Sequence, residues 1–231
     1  CSTQRTPKPS SAQRILPTPF DLTVLGVGNI LWADEGFGVR CVEHFHRAFR
    51  PMPRSQVLDG GTLGMYLLDT FTSTKDLLIF DCADLKAAPG TMKVLRGDDI
   101  ALWSATKLSA HQGGVNDVLV AAELLGKAPE RVTVIGVQPA ELNDYGGSLT
   151  EKLKAAIAPA IDAAVTELTD WGYSLTRREP GETVEPLGDR SLNEDVYENE
   201  RPSEAEACRE GDISLCEFVL FALLAKRCTK C

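Results

Sequence analysis

The sequence predicts an α/β protein, a three-layer sandwich in which a mostly parallel, twisted, five-stranded sheet carries helices on both faces. Two observations support this prediction. Short apolar runs alternate with segments of helical periodicity over residues 22–171, which favours parallel strands joined by helices. The run at residues 77–80, Leu-Leu-Ile-Phe, is apolar throughout, as is typical of a strand that is buried on both faces.

The elements follow from the same patterns in chain order. Predicted strands occupy residues 22–28, 56–59, 76–81, 91–95 and 132–137. Predicted helices begin at Gly36, after the Gly60-Gly61 turn, at Ser109 and at Leu149, and Asp34 is a predicted N-cap of the first helix. We expect a flexible leader over residues 1–20, one folded domain over 21–173, and an acidic, disordered extension over 174–231.

The acidity of the chain is concentrated in one segment. Residues 179–212 hold twelve acids and three arginines, and the rest of the chain holds 21 acids and 21 basic residues. The net charge of −9 disfavours nucleic acid as a partner, because phosphates attract basic surfaces. No apolar run is long enough to cross a membrane, and seven cysteines without framework spacing favour a reducing compartment. We expect a cytoplasmic monomer without membrane or nucleic-acid contacts.

The first predicted strand ends in Gly26-Val27-Gly28, which suggests two interpretations. A dinucleotide-binding loop would place a third glycine at position 31, where this chain has Leu31. Asp34 and Glu35 at the following helix would also repel a pyrophosphate. The alternative is a sharp turn that exposes the next segment, and nucleotide binding is the minor hypothesis.

Three side chains that could perform chemistry follow strand-to-helix junctions. Glu35 lies at the start of the first helix, Asp81 ends the apolar run of the third strand, and His111 lies near the start of a later helix. Glu35 could simply complement a helix dipole, and Asp81 could bind a loop N–H. Together they form a plausible O,O,N metal site. Neither a His-Glu-x-x-His helix nor a Gly-x-Ser-x-Gly turn is present.

Several segments resemble the nickel-iron hydrogenase maturation endopeptidases, in family order over about residues 22–172. The opening segment Gly-Val-Gly-Asn-Ile-Leu-Trp-Ala-Asp-Glu-Gly-Phe-Gly-Val-Arg, residues 26–40, is similar to the family signature and closest to the branch serving membrane-bound uptake hydrogenases. Further similar segments are residues 59–62, 109–112, 138–141 and 144–149, and Asp81 ends the family's third strand.

The resemblance implies a function and a site. The chain would be an endopeptidase, with the protease domain at 21–173, that removes the C-terminal extension of the nickel-loaded precursor of the hydrogenase large subunit. It implies that Glu35, Asp81 and His111 bind nickel, which the substrate supplies, although other divalent metals could occupy the site. It also implies that Asp59, Gly60, Gly61 and Thr62 select the precursor. Asp59 could instead only form a turn before two glycines.

The chemistry of the cut remains open at this stage. Nickel could activate a carbonyl or a bound water, or it could only position the chain while Asp81 or Glu35 acts as the catalytic base. We favour the second mechanism. The competing function from another class is a non-catalytic, nickel-sensing maturation chaperone of the same partner.

Overall fold

The computed structural model describes residues 18–100 and 114–200, which are built around a five-stranded sheet. The strands are β1 (Phe20–Val27), β2 (Ser55–Gly61), β3 (Thr74–Cys82), β4 (Met92–Arg96) and β5 (Arg131–Val137). Their order across the sheet is β2-β1-β3-β5-β4. The pairs β1–β2, β1–β3 and β3–β5 are parallel, and β4 is antiparallel to β5. The predicted mostly parallel, five-stranded α/β fold is confirmed.

Helices cover both faces of the sheet. They are α1 (Phe37–Ala48), α2 (Leu68–Thr72), α3 (Val115–Leu124) and α4 (Glu151–Asp170). Successive residues of β3 point to opposite faces. Leu78 therefore belongs to the core cluster that α1 and α4 complete, whereas Leu77 packs in a second cluster with Phe71 of α2 and Val118 of α3. The predicted helix start at Ser109 lies outside the described residues.

The strand order creates a topological switch point at the centre of the sheet. The chain passes from β1 outward to β2 and then returns to β3 on the other side of β1. At such a point the connections leave the carboxyl ends of two adjacent parallel strands in opposite directions and open a crevice between them. The β1/β3 carboxyl edge is therefore where the fold itself favours a functional site.

Helix α1 lies unusually close to the two central strands. A Cβ atom added to Gly38 would lie 2.2 Å from the Val27 carbonyl oxygen and 2.3 Å from that of Phe80. A Cβ added to Gly26 would lie 2.3 Å from the Gly38 carbonyl oxygen. The absence of side chains at both positions thus allows the backbone of α1 to contact the carboxyl ends of β1 and β3.

The segment after the last core helix packs on α1. Arg50 N donates to Thr176 O at 2.9 Å, Arg178 N donates to Ala48 O at 2.9 Å, and the Arg178 guanidinium pairs with Glu182 at 2.7 Å. The sequence predicts that the disordered extension begins at residue 174, whereas this compact unit continues to Asp189. These contacts are formed mainly by backbone groups and charged side chains. A segment ordered by such contacts has the same polar composition as a disordered one, so composition alone does not separate the two.

A second unit begins at Arg190. Its described part consists of the short 3₁₀ helix Arg190–Leu192 and helix α5 (Glu194–Glu200). Across residues 18–100 and 114–200, no helix is both long enough and apolar enough to cross a bilayer.

A buried carboxylate joins β4, β5 and α4. Glu167 is 4% exposed and accepts a hydrogen bond from the Thr133 hydroxyl at 2.7 Å and one from Arg96 Nε at 2.9 Å. The hydrogen-bonded Arg96 guanidinium lowers the pKa of Glu167 below its ordinary 4.5, against the opposing effect of burial. The ionised form of Glu167 is therefore the form that stabilises the folded chain.

This lowered pKa predicts an acid-sensitive contribution to stability. Because the pKa of Glu167 is lower in the folded than in the unfolded chain, its contribution is complete above the unfolded pKa of 4.5 and declines as pH falls through the folded value. We expect Glu167→Gln to be less stable than wild type at pH 7, with the difference shrinking as pH falls below the unfolded pKa of 4.5. Urea unfolding at several pH values measures this. A constant difference at all pH values would contradict it.

Candidate active site

Glu35 lies on a short 3₁₀ helix, Ala33–Gly36, that connects β1 to α1. Glu35 N donates to Trp32 O at 2.9 Å, and Glu35 O accepts from Asn29 N at 3.1 Å, which folds the connection back over the end of β1. Gly28 has φ +146°, and a Cβ there would lie 1.9 Å from Glu35 O. The connection also contacts β3. The structure therefore places Glu35 at the predicted strand-to-helix junction, next to the switch point.

The two glycines of the Gly-Val-Gly segment have packing roles. Gly26 makes room for α1, and Gly28 makes room for the backbone of Glu35. Both positions are thus explained by contacts within the chain. The minor hypothesis of nucleotide binding at this turn gains no support from their geometry.

Asp81 occupies the carboxyl end of the central strand β3. It pairs in register with Gly136 of β5, and it is only 2% exposed. A carboxylate at such depth has lost most of its contact with water, which is costly unless donors or a cation compensate. Because β3 borders β1, Asp81 lies at the same sheet edge as the Glu35 connection.

The third predicted ligand, His111, lies outside the described residues. Over residues 18–100 and 114–200 no three His, Cys, Asp or Glu side chains come together as a metal site. The two described carboxylates offer oxygen ligands, which divalent cations bind. An imidazole nitrogen would complete a mixed set of oxygen and nitrogen ligands suited to nickel or zinc. The donor chemistry thus fits the predicted metal, and the complete ligand set remains a prediction.

The predicted recognition segment, Asp59 to Thr62, consists of the carboxyl end of β2 and the residue that follows it, beside the same edge. Asp59 pairs in register with Gly26 of β1, and its Oδ1 accepts from Gly61 N at 2.8 Å. Gly61 has φ +42°, a conformation that favours glycine. Gly60 is buried and Thr62 is exposed. The turn-forming interaction of Asp59 is therefore present, and its role in precursor selection remains a prediction.

The electrostatic environment of Asp59 differs from that of an ordinary surface acid. Loss of hydration raises the pKa of the Asp59 carboxyl, although the side chain still contacts solvent. The Gly61 N–H and the Arg40 cation act in the opposite direction. Arg40 itself is buried and ion-paired with Glu43 at 3.0 Å. This places a buried Arg40–Glu43 ion pair near the recognition segment, with Arg40 the partner that acts on Asp59.

Asp34 has a different role from the one that sequence patterns predict. The N-cap of α1 is Gly36, without a side-chain capping bond, so the prediction that Asp34 caps this helix is wrong. Asp34 is instead fully buried and accepts hydrogen bonds from Ala140 N at 2.8 Å, Glu141 N at 2.9 Å and Thr150 N at 2.7 Å. No local pattern could reveal these partners, because they lie more than 100 residues away along the chain.

These features define the class of protein. It is an α/β protein with one carboxylate on the connection from β1 to α1 and another at the carboxyl end of β3, which leads to β4, both beside the switch point of a mostly parallel sheet and next to a turn-forming Asp-Gly-Gly segment.

Comparison with known proteins identifies the family. The family model described as hydrogenase maturation protease, HycI, matches residues 39–167. The hydrogenase expression/formation protein HupD of Rhodobacter capsulatus is 48% identical over 196 residues, which are 84% of this chain and 92% of that protein. The hydrogenase 2 maturation protease of Escherichia coli is 39% identical and is covered over 96% of its length by 68% of this chain.

Solved structures agree with this result. The hydrogenase maturating endopeptidase HybD from E. coli has a TM-score of 0.65 at 38% identity, covering 69% of this chain and 98% of that chain. The present chain belongs to the hydrogenase maturation protease family and is a peptidase by that membership. Relatives named HupD, HupM and HoxM at 41–48% identity confirm the predicted uptake hydrogenase branch.

Proposed function

We propose that this chain is the endopeptidase that removes the C-terminal extension from the nickel-loaded precursor of a nickel-iron hydrogenase large subunit. Family membership supports the class of reaction. The observation that carries the proposal is the pair of carboxylates at the β1/β3 edge, with Asp81 at the end of β3 and Glu35 on a connection that contacts β3. An extended precursor tail could reach both groups from outside the sheet, because the switch point opens at the carboxyl ends of the strands.

Nickel, in this proposal, is part of the substrate. Glu35, Asp81 and His111 would bind the nickel that the precursor already carries, and other divalent metals could occupy the same ligands. Two carboxylates and one imidazole leave coordination positions open for the precursor's own ligands. The protease would thereby distinguish a loaded precursor from an empty one, because only the loaded form gains these contacts.

The bound nickel would hold the scissile segment in place, and a protein carboxylate would accept the proton that the attacking water loses. We assign Asp81 as the base that accepts a proton from the attacking water, with Glu35 as the second candidate for this role. The burial of Asp81 supports the assignment, since a carboxylate shielded from bulk water can accept a proton from one oriented water molecule. Orientation of that water next to the peptide carbonyl supplies the rest of the rate enhancement.

Precursor selection would involve the segment Asp59-Gly60-Gly61-Thr62. It forms the end of β2 beside β1, and the exposed side chains of Leu63 and Tyr66 follow it. The fixed turn between Asp59 and Gly61 would present this segment to a partner without a large loss of conformational freedom. We further propose that the chain acts as a monomer in the cytoplasm, where the precursor is made.

Gel mobility of a purified large-subunit precursor tests the proposal. We expect the nickel-loaded precursor to gain mobility when this protein is added, and mass spectrometry to identify one released C-terminal peptide. The nickel-free precursor should remain intact. Nickel-dependent binding without any released peptide would instead support the non-catalytic chaperone, and it would reject the peptidase assignment.

A further inference from the structure

Asp34 is a buried and extensively hydrogen-bonded carboxylate near the proposed site. It has no exposed surface, and both of its oxygens accept hydrogen bonds. Oδ2 accepts from Ala140 N at 2.8 Å, from Glu141 N at 2.9 Å and from the Thr150 hydroxyl at 3.1 Å, while Oδ1 accepts from Thr150 N at 2.7 Å. Burying a carboxylate costs free energy unless hydrogen-bond donors replace its water. The four donors to Asp34 supply this compensation and make its side chain a fixed junction between chain segments.

This junction joins three separate parts of the chain. Asp34 belongs to the connection after β1, Ala140 and Glu141 belong to the loop after β5, and Thr150 is the N-cap of α4. Asp34 N also donates to Glu141 O at 3.2 Å, which makes the contact reciprocal. The same two loops meet again farther out.

Their second contact is made by backbone and aromatic groups. Gly146 N donates to Leu31 O at 2.7 Å, and Trp32 forms an antiparallel bridge with Tyr145. The two aromatic rings pack edge to face with centroids 5.0 Å apart. The connection that carries Glu35 is therefore held against the loop after β5 on both sides of Ala33.

From this arrangement we propose that Asp34 is a positioning residue for the cleavage reaction. Its carboxylate holds the 3₁₀ helix Ala33–Gly36, which carries Glu35, against the sheet edge at which Asp81 ends β3. A four-residue 3₁₀ helix has too few hydrogen bonds to hold itself rigidly. Asp34 itself does not contact the reacting atoms, because its oxygens are occupied by the loop after β5 and by Thr150. The inference rests on the proposed peptidase function.

The variant Asp34→Asn tests this role. The amide keeps the shape of the side chain but turns an N–H group toward backbone donors, so the junction must shift. We expect kcat for cleavage of the nickel-loaded precursor to fall about 100-fold, while KM and the directly measured precursor affinity, to which Glu35 contributes one nickel ligand, weaken by no more than about tenfold. Hydrogen exchange should also become faster at the amides of Glu35 and Glu141.

Asp76→Asn is the matched control. Asp76 is equally buried and lies near the amino end of β3, away from the site, where it accepts from Arg131 Nε at 2.8 Å and from the Tyr173 hydroxyl at 2.6 Å. We expect this variant to lower Tm while the folded enzyme keeps its kcat. If Asp34→Asn also loses activity only in proportion to its unfolded fraction, the positioning role is rejected.

A second pair of variants separates the hydrogen bond from side-chain size. Thr150→Ser keeps the hydroxyl donor to Asp34, whereas Thr150→Val removes it with little change in volume. The serine variant should retain near-wild-type kcat and the valine variant should lose about tenfold, and equal kcat values would reject the role.

A wild-type protein that fails to cleave the precursor would reject the proposed function itself, whereas a cleaving wild type with an unimpaired Asp34→Asn variant rejects only the positioning role.

Discussion

The variant Asp81→Asn is expected to lose cleavage of the nickel-loaded precursor by about 10²- to 10⁴-fold, the range that general-base catalysis contributes. Asparagine fits the space of Asp81, which is only 2% exposed, but its amide does not accept a proton from water. Nickel-dependent binding of the precursor should stay within about tenfold of wild type, because the other ligands and the protein–protein contacts remain. Parallel measurements of binding and of peptide release test this expectation.

The comparison of binding with cleavage decides between the two roles of Asp81. Loss of both would show that Asp81 acts only as a ligand, and the assignment as base would fail. Glu35→Gln should then be the variant that binds without cutting. Asp84→Asn is a suitable control, because Asp84 lies three residues farther along the chain and pairs with Lys86. This control should leave both binding and cleavage unchanged.

The strands of this fold were predictable because each has a distinct local cause. Residues 77–80 are all fully buried, as their unbroken apolar run predicts, and Gly28 directly follows the last residue of β1. The positions of Asp81 and Glu35 at one sheet edge followed from the same rule, since the carboxyl ends of parallel strands share an edge. Local pattern and parallel topology were sufficient for this part of the site.

The contacts that hold Glu35 in place were not predictable in the same way. Three of the four donors to Asp34 are backbone N–H groups 106 to 116 residues away, and backbone groups leave no trace in residue types. An acid before a helix is also typical of an N-cap, so the local pattern favoured a wrong interpretation. Residues 174–189 present the same difficulty, because Arg178 joins the end of α1, and Thr176 joins Arg50 just after it, through backbone hydrogen bonds. Sequence patterns therefore could not predict the long-range hydrogen bonds to backbone groups that hold these segments in place.

The close approach of α1 to the sheet predicts the largest effect on stability. Gly38→Ala would place a methyl group 2.2 Å from Val27 O and 2.3 Å from Phe80 O, and backbone atoms of two central strands have little freedom to move. We expect a loss of about 3 kcal/mol or more in the free energy of unfolding, at the upper end for an overpacked core. Such a loss corresponds to a decrease in Tm of about 10 °C for a domain of this size.

Gly188→Ala is the control for Gly38→Ala, because a Cβ atom added to Gly188 would have no other atom within 4 Å.

Gly26→Ala provides an internal test, because its Cβ would meet Gly38 O at 2.3 Å and force the same separation of α1 from β1. The double variant should therefore lose less stability than the sum of the two single variants, because one displacement of the helix relieves both clashes. Since α1 begins two residues after Glu35, that displacement should also lower kcat in the fraction that remains folded. Urea unfolding and precursor cleavage on the same samples measure both effects, and full additivity would show that the two glycines act at independent contacts.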